Sequence, residues 1–587
     1  MYDRFLLFLS IAATMLYFSS CTEDCGTSTK GNDPTVVVHD LGNPDKINPV
    51  ISSSANSRYV EANIFQSLLL TDFKTLQPVG LLAVDRPQIQ EINDGKYKGG
   101  MSLTYEIRPE ATWDNGAPIT AADVIFTVKA VLNPKVTSES SRPSYDFIDE
   151  IVPDPSNPKK FTIYSDERYF LAEAMGLNYV LPEYIYDPNK LLTKVNIASL
   201  KDSTNNNPIL KTFADVFNTK HDREKGTIVG SGPYEFVEWI TDQRIELRRK
   251  KNWWGDKIKD APQLTANPTV ITYKIMTDWN AVISAMKGEA IDVAYGINIP
   301  DFDQLKHNDC FNKLFNLHTP IAMQYDYIGI NTRNSKLSDK RTRRALAHLV
   351  NKPEIINSLL YGFGESVNGP IHPTKSYYNT NLKDIEFSID KAKELLTEAG
   401  WKDSNGDGIL DKDIDGVNTP FKITMKYNNG NERRKNYALL LQANAKKAGI
   451  EIEVLAREWS VYLKEVKRHD FDLCALGWVQ DPTPDDLKQI WHTSSMVGDG
   501  SNYCGFGNAE TDKIIEEIRT TLDNNKRKEL YYKIQEIIYD EQPYIFLVSL
   551  KERIAIHKRF SNANSSVARP GFNVQGFSVG QAANAAQ

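Results

Sequence analysis

The chain has 587 residues, of which 41% are hydrophobic and 25% are charged, so it is long enough for several globular lobes and is not a collagen-like or wholly disordered chain. Lys and Arg number 69 against 76 Asp and Glu, and the resulting net charge of −7 gives no support to a nucleic-acid partner, which usually needs a basic face. Nine histidines spread along the chain argue against a dedicated multi-histidine metal site.

The first predicted element is an apolar run from Phe5 to Phe18 that follows Arg4. It is shorter than the about twenty residues that a membrane-spanning helix needs, and it fits the hydrophobic part of an export signal. Two serines then precede Cys21, which resembles the bacterial lipobox, where the cysteine is lipidated and becomes the first residue. We therefore predict a lipoprotein signal peptide at 1–21 and a polar tether at 22–33. The alternative is a plain secretory signal with an incidental Cys21.

Four further cysteines, Cys25, Cys310, Cys474 and Cys504, could form disulfides in an exported protein. Cys474 and Cys504 flank one segment, so we predict that they pair. The alternative is that these cysteines are buried free thiols.

The first half of the chain shows short strands mixed with helices. A strand is predicted at 35–38, and β-branched and aromatic residues predict a buried strand at 270–276. A helix follows at 280–288, and a further strand is predicted at 291–295. The intermixed order favours a mixed α/β fold.

The second half carries the clearest local signals. Ser388 is a predicted N-cap of a helix that Gly400 ends. A strand at 421–427, a helix at 432–448 and a strand at 450–454 form a βαβ unit, so the two strands should be parallel. Residues 511–539 predict two helices, and no repeat of 20–50 residues indicates a solenoid. The predicted class is therefore α/β in more than one lobe.

An acidic turn follows the helix that begins after Ser388. Asp403, Asn405 and Asp407 place oxygen atoms at the first, third and fifth positions of a calcium-type loop, and Gly408 stands at the sixth. The twelfth position is Ile414 instead of a glutamate. The pattern allows a structural calcium ion, and the alternative is a solvated turn.

The common signatures of enzymes are missing together. The sequence has no P-loop, no Gly-x-Ser-x-Gly elbow and no His-Glu-x-x-His motif, and Gly230-Ser231-Gly232 lacks the third glycine of a dinucleotide fingerprint. We therefore predict that the protein is not an enzyme.

An ordered series of segments resembles one protein family. It includes Trp113-Asp114-Asn115-Gly116, Gly230-Ser231-Gly232-Pro233-Tyr234 and Gly477-Trp478-Val479-Gln480-Asp481, together with 62–69, 78–83, 105–109, 287–293, 330–332 and 339–346. The series runs from about residue 35 to about residue 548. The chain thereby resembles the solute-binding proteins of ABC importers that take up oligopeptides, dipeptides and related solutes.

The resemblance implies a bilobal periplasmic-binding-protein fold with a hinge and an extra inserted lobe. By analogy, lobe I would comprise 34–63, 181–324 and a return with a tail at 545–587. Lobe II would be inserted at 64–180, and lobe III would span 325–544. The ligand would bind between lobes I and III.

The resemblance also suggests ligand-binding residues. Asp481 stands where peptide-binding members hold the ammonium group of the ligand, and Gly477 and Trp478 would supply backbone hydrogen bonds and a pocket wall. Trp459 matches another aromatic wall position, and Tyr503 is a further candidate for the cleft. For Asp481 the alternative is a turn cap, and for the tryptophans it is core packing.

Two further observations bear on the ligand. Asp485 and Asp486 are rivals for the ammonium anchor. Ala475 occupies the position where some oligopeptide binders carry an arginine that helps to hold the peptide carboxylate. The preferred peptide length would then differ, or the ligand would lack a free carboxylate at that place.

The implied partners are short peptides, the permease and ATPase subunits of an ABC importer, and a membrane reached through the lipid on Cys21. The implied location is the bacterial cell envelope, and no cofactor is implied. Two alternatives stay open: a binder of an oligosaccharide or a metal complex, and a surface lipoprotein that senses peptides.

Overall fold

The computed structural model describes residues 28 and 30–579, apart from 140, 203, 220–222, 224 and 499. The predicted signal peptide and Cys21 lie outside the described residues. Within the described ranges, no helix combines the length and the apolarity that crossing a bilayer requires. Ser28 and Lys30, which fall in the predicted tether, contact the folded body, where the Lys30 ammonium lies 2.8 Å from the Asp292 carboxylate.

The largest sheet has seven strands, which come from three separate parts of the chain: 35–40, 234–318 and 554–557. Its spatial order is Phe315–His318, Ile554–His557, Val293–Ala294, Thr35–Asp40, Val270–Ile275, Arg244–Arg249 and Tyr234–Ile240. The central strand Thr35–Asp40 is parallel to both of its neighbours, and the outer pairs are antiparallel. The predicted strands at 35–38 and 270–276 are confirmed, whereas the one at 291–295 is reduced to Val293–Ala294.

The residues between the first two of these parts form a four-stranded antiparallel sheet. Its order is Gln88–Glu91, Met101–Glu106, Asn157–Ser165 and Glu150–Asp154. The helix Ala121–Leu132 packs on it and begins with a capping box between Thr120 and Asp123. This sheet and the seven-stranded sheet share one hydrophobic core.

The residues between the second and third of these parts form a five-stranded sheet. Separate hydrophobic cores pack on its two faces. Its order is Glu451–Arg457, Lys422–Asn428, Leu473–Val479, Gln324–Ile330 and Tyr544–Phe546. The first three strands are mutually parallel, which confirms the predicted βαβ unit. Ala475 packs into one core and Cys474 and Leu476 into the other, as alternation along a strand buried on both faces requires.

Among the described residues, four two-stranded sheets complete the strands: Leu69–Thr71 with Pro78–Gly80, Gly364–Ser366 with Val548–Leu550, Asp411–Ile414 with Val417–Pro420, and Phe560–Ser561 with Ser578–Val579. In the same part of the chain, the α-helices of eight or more residues are Ala55–Ile64, Ala121–Leu132, Pro208–Phe217, Trp279–Lys287, Ile299–Lys306, Lys340–His348, Ile389–Glu398, Glu432–Lys447, Trp459–Lys467, Ala509–Thr520 and Asn524–Glu541. The predicted helices at 280–288 and 432–448 and the two predicted within 511–539 are therefore confirmed to within a few residues. Ser388 caps Ile389–Glu398 as predicted.

The chain crosses twice between the seven-stranded and five-stranded sheets, and the two crossings lie side by side. The Ala322 amide donates to the Leu550 carbonyl at 2.7 Å, and the Glu552 amide donates to the Pro320 carbonyl at 2.8 Å. Two paired extended segments are thus a narrow connection between the two sheets.

The predicted disulfide between Cys474 and Cys504 is wrong, because both are buried free thiols. They lie in one apolar core, where the two thiols hydrogen-bond to each other and burial raises the pKa of Cys504 well above its usual range. Gly329 leaves room for them, since a Cβ there would lie 2.8 Å from the Cys474 sulfur. Spacing in the sequence does not distinguish contacting thiols from a disulfide. Cys310, in contrast, is disulfide-bonded.

Candidate functional site

A cavity of about 380 Å³ lies between the helix Ala55–Ile64 and the carboxyl end of the strand Leu473–Val479. One wall comes from that helix and from the strand Leu69–Thr71, and the opposite wall comes from Met323 and residues 479–482. Residues 567–570 and 572–575, near the end of the chain, also line it. The cavity is thus built by segments of the seven-stranded and five-stranded parts of the molecule together.

The sheet geometry explains why a loop of the five-stranded sheet faces this space. The parallel strands Lys422–Asn428, Glu451–Arg457 and Leu473–Val479 end at the same edge of the sheet. In open α/β sheets, ligands bind at the carboxyl ends of the strands. Asp481 follows the last of these strands by two residues, so it lies at this edge of the sheet.

Asp481 has an exposed, unpaired side chain. It makes no hydrogen bond or ion pair with any described residue, and it lines both the 380 Å³ cavity and an adjoining cavity of about 250 Å³. A carboxylate without a protein partner at the junction of two cavities is available to a cationic group of a ligand.

The two rival aspartates already have partners. The Lys375 ammonium lies 2.7 Å from Asp485, and the Tyr377 hydroxyl donates to the same carboxylate at 2.9 Å. Arg519 lies 3.0 Å from Asp486. Neither carboxylate is free to receive a ligand cation, which leaves Asp481 as the candidate among the three.

The strand before Asp481 has one edge without a strand partner. Leu473–Val479 pairs with Gln324–Ile330 along its whole length, but with Lys422–Asn428 only through Leu473 and Cys474 among the described residues. The Tyr462 hydroxyl occupies the Ala475 carbonyl, so the backbone groups from Leu476 to Val479 that face away from Gln324–Ile330 can accept another extended chain.

Gly477 permits a close approach within this strand. A Cβ there would lie 2.6 Å from a carboxylate oxygen of Asp326 and 3.0 Å from the Tyr325 carbonyl. Asp326 is itself fixed, because Arg433 lies 2.7 Å away and the Tyr437 hydroxyl donates to it at 3.1 Å. A larger residue at position 477 would therefore collide with Asp326, which is a structural reason for glycine that is separate from the ligand-binding role predicted for Gly477.

Trp478 belongs to both the core and the cleft. It packs against the core that contains Tyr503, and the two rings stack with their centroids 6.1 Å apart. Trp478 also lines the smaller cavity, whereas Tyr503 is 8% exposed and lines neither cavity. Tyr503 therefore packs behind Trp478. Contrary to the prediction, it does not face the cleft.

Trp459 lies at the same edge of the sheet, outside the lining of both cavities. It begins the helix Trp459–Lys467 directly after the strand Glu451–Arg457, and 46% of it is exposed. The Arg434 guanidinium lies 5.8 Å from its ring. Its neighbour Tyr462 donates to the Ala475 carbonyl at 2.8 Å, which links this corner to the strand before Asp481.

Several residues that line the 380 Å³ cavity were not predicted from the sequence. Tyr59, Tyr295 and Phe572 form a row of aromatic rings, with centroids 5.6 Å and 5.8 Å apart. Arg58 and Arg569 add two cations to the same cavity. No local pattern marks these residues, because they come from positions far apart in the chain and meet only through the fold.

Gln480 is a further polar group of the lining. Its side-chain nitrogen donates to the Pro370 carbonyl at 2.8 Å, while its side-chain oxygen is buried without a partner among the described residues. A buried acceptor without a donor is costly to the folded state.

A second contact joins the part of the chain around the four-stranded sheet to the C-terminal helices. The Phe170 amide donates to the Arg519 carbonyl at 2.9 Å, and the Arg519 guanidinium lies 5.4 Å from the Tyr169 ring. The Tyr169 hydroxyl donates to Asp486 at 3.4 Å. These contacts bridge the side of the molecule next to the smaller cavity.

Comparison with known proteins decides the family. The profile of bacterial extracellular solute-binding proteins, family 5, matches residues 93–500, more than half of the chain. The chain belongs to this family. The oligopeptide-binding protein AppA of Bacillus subtilis is 29% identical over 561 residues, covering 95% of this chain and 93% of AppA. The dipeptide-binding protein of Escherichia coli is 26% identical over 534 residues, covering 87% of this chain and 89% of that protein.

Solved structures agree with this family assignment. The structure of Bacillus subtilis AppA in complex with a nonapeptide matches with a TM-score of 0.67 at 27% identity, covering 93% of this chain and 99% of AppA. The mixed α/β architecture of this family-5 protein is therefore the bilobal periplasmic-binding fold, as predicted. Family 5 consists of solute-binding proteins, which agrees with the prediction that the chain is not an enzyme.

In the predicted calcium loop, the side-chain oxygens accept hydrogen bonds from backbone amides of the same turn. The Asp403 carboxylate accepts from the Gly406 and Gly408 amides at 2.7 and 3.0 Å, and Asn405 and Asp407 accept from amides two residues further on. Within the described ranges, no group of three or more His, Cys, Asp or Glu side chains is arranged to hold a metal ion. The arrangement therefore favours the solvated turn over the calcium site.

Proposed function

We propose that this family-5 protein captures short peptides outside the cytoplasm and delivers them to the permease and ATPase subunits of an ABC importer. In this proposal the lipid on Cys21 holds it at the cell envelope. Lobe I (34–63, 181–324 and 545–587) and lobe III (325–544) close over the ligand, and lobe II (64–180) is an added lobe.

The observation that carries the proposal is the unpaired carboxylate of Asp481 at the wall of the 380 Å³ cavity. A peptide presents one ammonium group at a fixed end, and closure of a cleft removes the water around it. A cation that loses its water needs an anion in its place. Asp481 would supply that anion.

The free edge of the strand Leu473–Val479 supports recognition of a peptide backbone. Main-chain hydrogen bonds to Gly477 at the open edge would add the ligand as a short extra strand, which gives affinity without selecting a sequence, and Trp478 would form a wall beside it.

Closure follows from binding on both sides of the cleft. A ligand that contacts the helix Ala55–Ile64 and Asp481 at once binds the closed form better than the open form and shifts the population toward it. The two paired crossings near Ala322 and Leu550 are the connection about which such a motion would turn.

The test is direct binding to protein that lacks residues 1–21. Native mass spectrometry should release a mixture of short peptides, and calorimetry should detect Ala-Ala-Ala but not its N-acetylated form. Asp481→Asn should weaken binding at least about tenfold, because it removes the charge and keeps the shape. Asp260→Asn, at an exposed aspartate without a partner among the described residues, is the matched control.

Two results would overturn the proposal. One is a single bound non-peptide mass together with indifference to a pool of peptides. The other is unchanged affinity in Asp481→Asn, which would remove Asp481 from the site and leave the ammonium without its partner.

A further inference from the structure

The charged residues that line the 380 Å³ cavity do not balance. Among the described residues of its lining, the charged side chains are Arg58, Arg569 and Asp481, two cations against one anion. The lining of this cavity therefore carries an excess of one positive charge.

Neither arginine forms an ion pair with a described carboxylate. Arg58 stands in the first turns of the helix Ala55–Ile64, and its guanidinium makes no hydrogen bond or ion pair with any described residue. Arg569 donates to the side-chain oxygen of Gln324 at 3.0 Å, and this neutral acceptor leaves the charge of Arg569 uncompensated.

Two carboxylates near the aromatic row do not cancel these charges. Asp40 is 2% exposed, does not line the cavity, and accepts a hydrogen bond from the Asn56 side-chain amide at 2.5 Å. Burial and, to a smaller extent, the nearby charge of Glu552 raise the pKa of Tyr59. However, Glu552 does not line the cavity and forms no ion pair with a described residue.

We propose that the preferred ligands are short peptides with an acidic side chain, an inference that rests on the proposed function. The peptide ammonium would pair with Asp481, and its terminal carboxylate would pair with one of the two arginines. The other guanidinium would then lack an anion when the cleft closes, and a second carboxylate on the ligand would supply it. A neutral peptide would leave one desolvated charge unpaired, which is unfavourable.

The cavity volume also limits the ligand. At about 380 Å³, it lies near the lower end of the range for small-molecule pockets. A short peptide with a carboxylate on its side chain brings both negative charges into this space, whereas the termini of a long peptide would lie too far apart.

The experiment compares Ala-Glu-Ala with Ala-Gln-Ala, which have nearly the same shape and differ by one charge. Calorimetry on the chain without residues 1–21 should show at least about tenfold tighter binding of Ala-Glu-Ala. Arg58→Gln or Arg569→Gln should reduce that preference to about twofold or less. Arg468→Gln, at an exposed arginine lining a different cavity near Asn331, should leave it unchanged.

The outcomes separate the two proposals. Equal affinity for both peptides, or an equal loss for both peptides in each arginine variant, would overturn the acidic preference and leave peptide capture standing. Binding of neither peptide would overturn peptide capture itself. Thermal unfolding of each variant shows whether a loss of binding comes from the site or from misfolding.

Discussion

A buried glutamate on the helix that lines the cavity should make stability depend on pH. Glu61 is 1% exposed; the Ser52 hydroxyl donates to one carboxylate oxygen at 3.1 Å, and the other has no partner among the described residues. Burial, the largest cause, raises the pKa of Glu61 to about 8. The folded protein therefore holds a proton at pH 7 that the unfolded chain, with an ordinary pKa of 4.5, has lost.

The sign of the effect follows from this proton. Because the folded state binds more protons than the unfolded state between about pH 4.5 and about pH 8, the free energy of unfolding falls as the pH rises through that window. Each pH unit contributes about 1.4 kcal/mol, so the contribution from pH 5 to pH 8 is about 4 kcal/mol. Glu61→Gln keeps the shape and removes the titration.

The assay is urea unfolding of both proteins at pH 5, 6, 7 and 8, followed by tryptophan fluorescence. Asp40, whose pKa burial raises to about 6, titrates in the same window, so only the difference between wild type and Glu61→Gln is used. That difference should shift by about 4 kcal/mol in favour of the variant between pH 5 and pH 8. Glu529→Gln, at an exposed glutamate, should show no shift. A difference that is the same at all four pH values would refute the reasoning.

Three further predictions address the cleft and the cores. Gly477→Ala should cost roughly 1–3 kcal/mol of stability and weaken peptide binding, since the new Cβ would lie 2.6 Å from a carboxylate oxygen of Asp326; urea unfolding and calorimetry that both match wild type would contradict it. The buried thiols of Cys474 and Cys504 should react with a thiol reagent only after unfolding, and rapid labelling of the native protein would show that they are accessible. Arg519→Gln should speed peptide dissociation several-fold by weakening the contact beside the smaller cavity, and an unchanged rate in stopped-flow fluorescence would show that this contact does not slow the release of the ligand.

Elements with a local cause were predictable from the sequence. Ser388 accepts from the Lys391 amide and starts its helix, and Gly400 follows that helix with a backbone φ of +88°, which favours glycine. The helix Glu432–Lys447 and its parallel strands followed from periodicity and spacing. The strand predicted at 291–295 was too long, because its neighbours pair only with Val293 and Ala294.

Tertiary contacts were not predictable in the same way. Spacing suggested a disulfide between Cys474 and Cys504, but the fold places them as two contacting thiols in an apolar core. The acidic turn at Asp403 matches the start of a calcium loop, yet its oxygens accept from their own backbone amides. In both places the pattern gave the residue types, and the surroundings decided what those residues do.

The two walls of the cavity differ in how far a sequence can reveal them. Asp481 and Gly477 lie within five residues of each other at or beyond the end of one strand, so a short motif in the sequence is enough to single them out as candidates. Arg58 and Arg569 come from a helix near the start of the chain and a segment near its end, and only the folded cavity brings them together. Capture of a peptide end and backbone would then depend on the strand, whereas the choice among peptides would depend on the opposite wall. Substitutions on that wall should change the preferred ligand without abolishing binding.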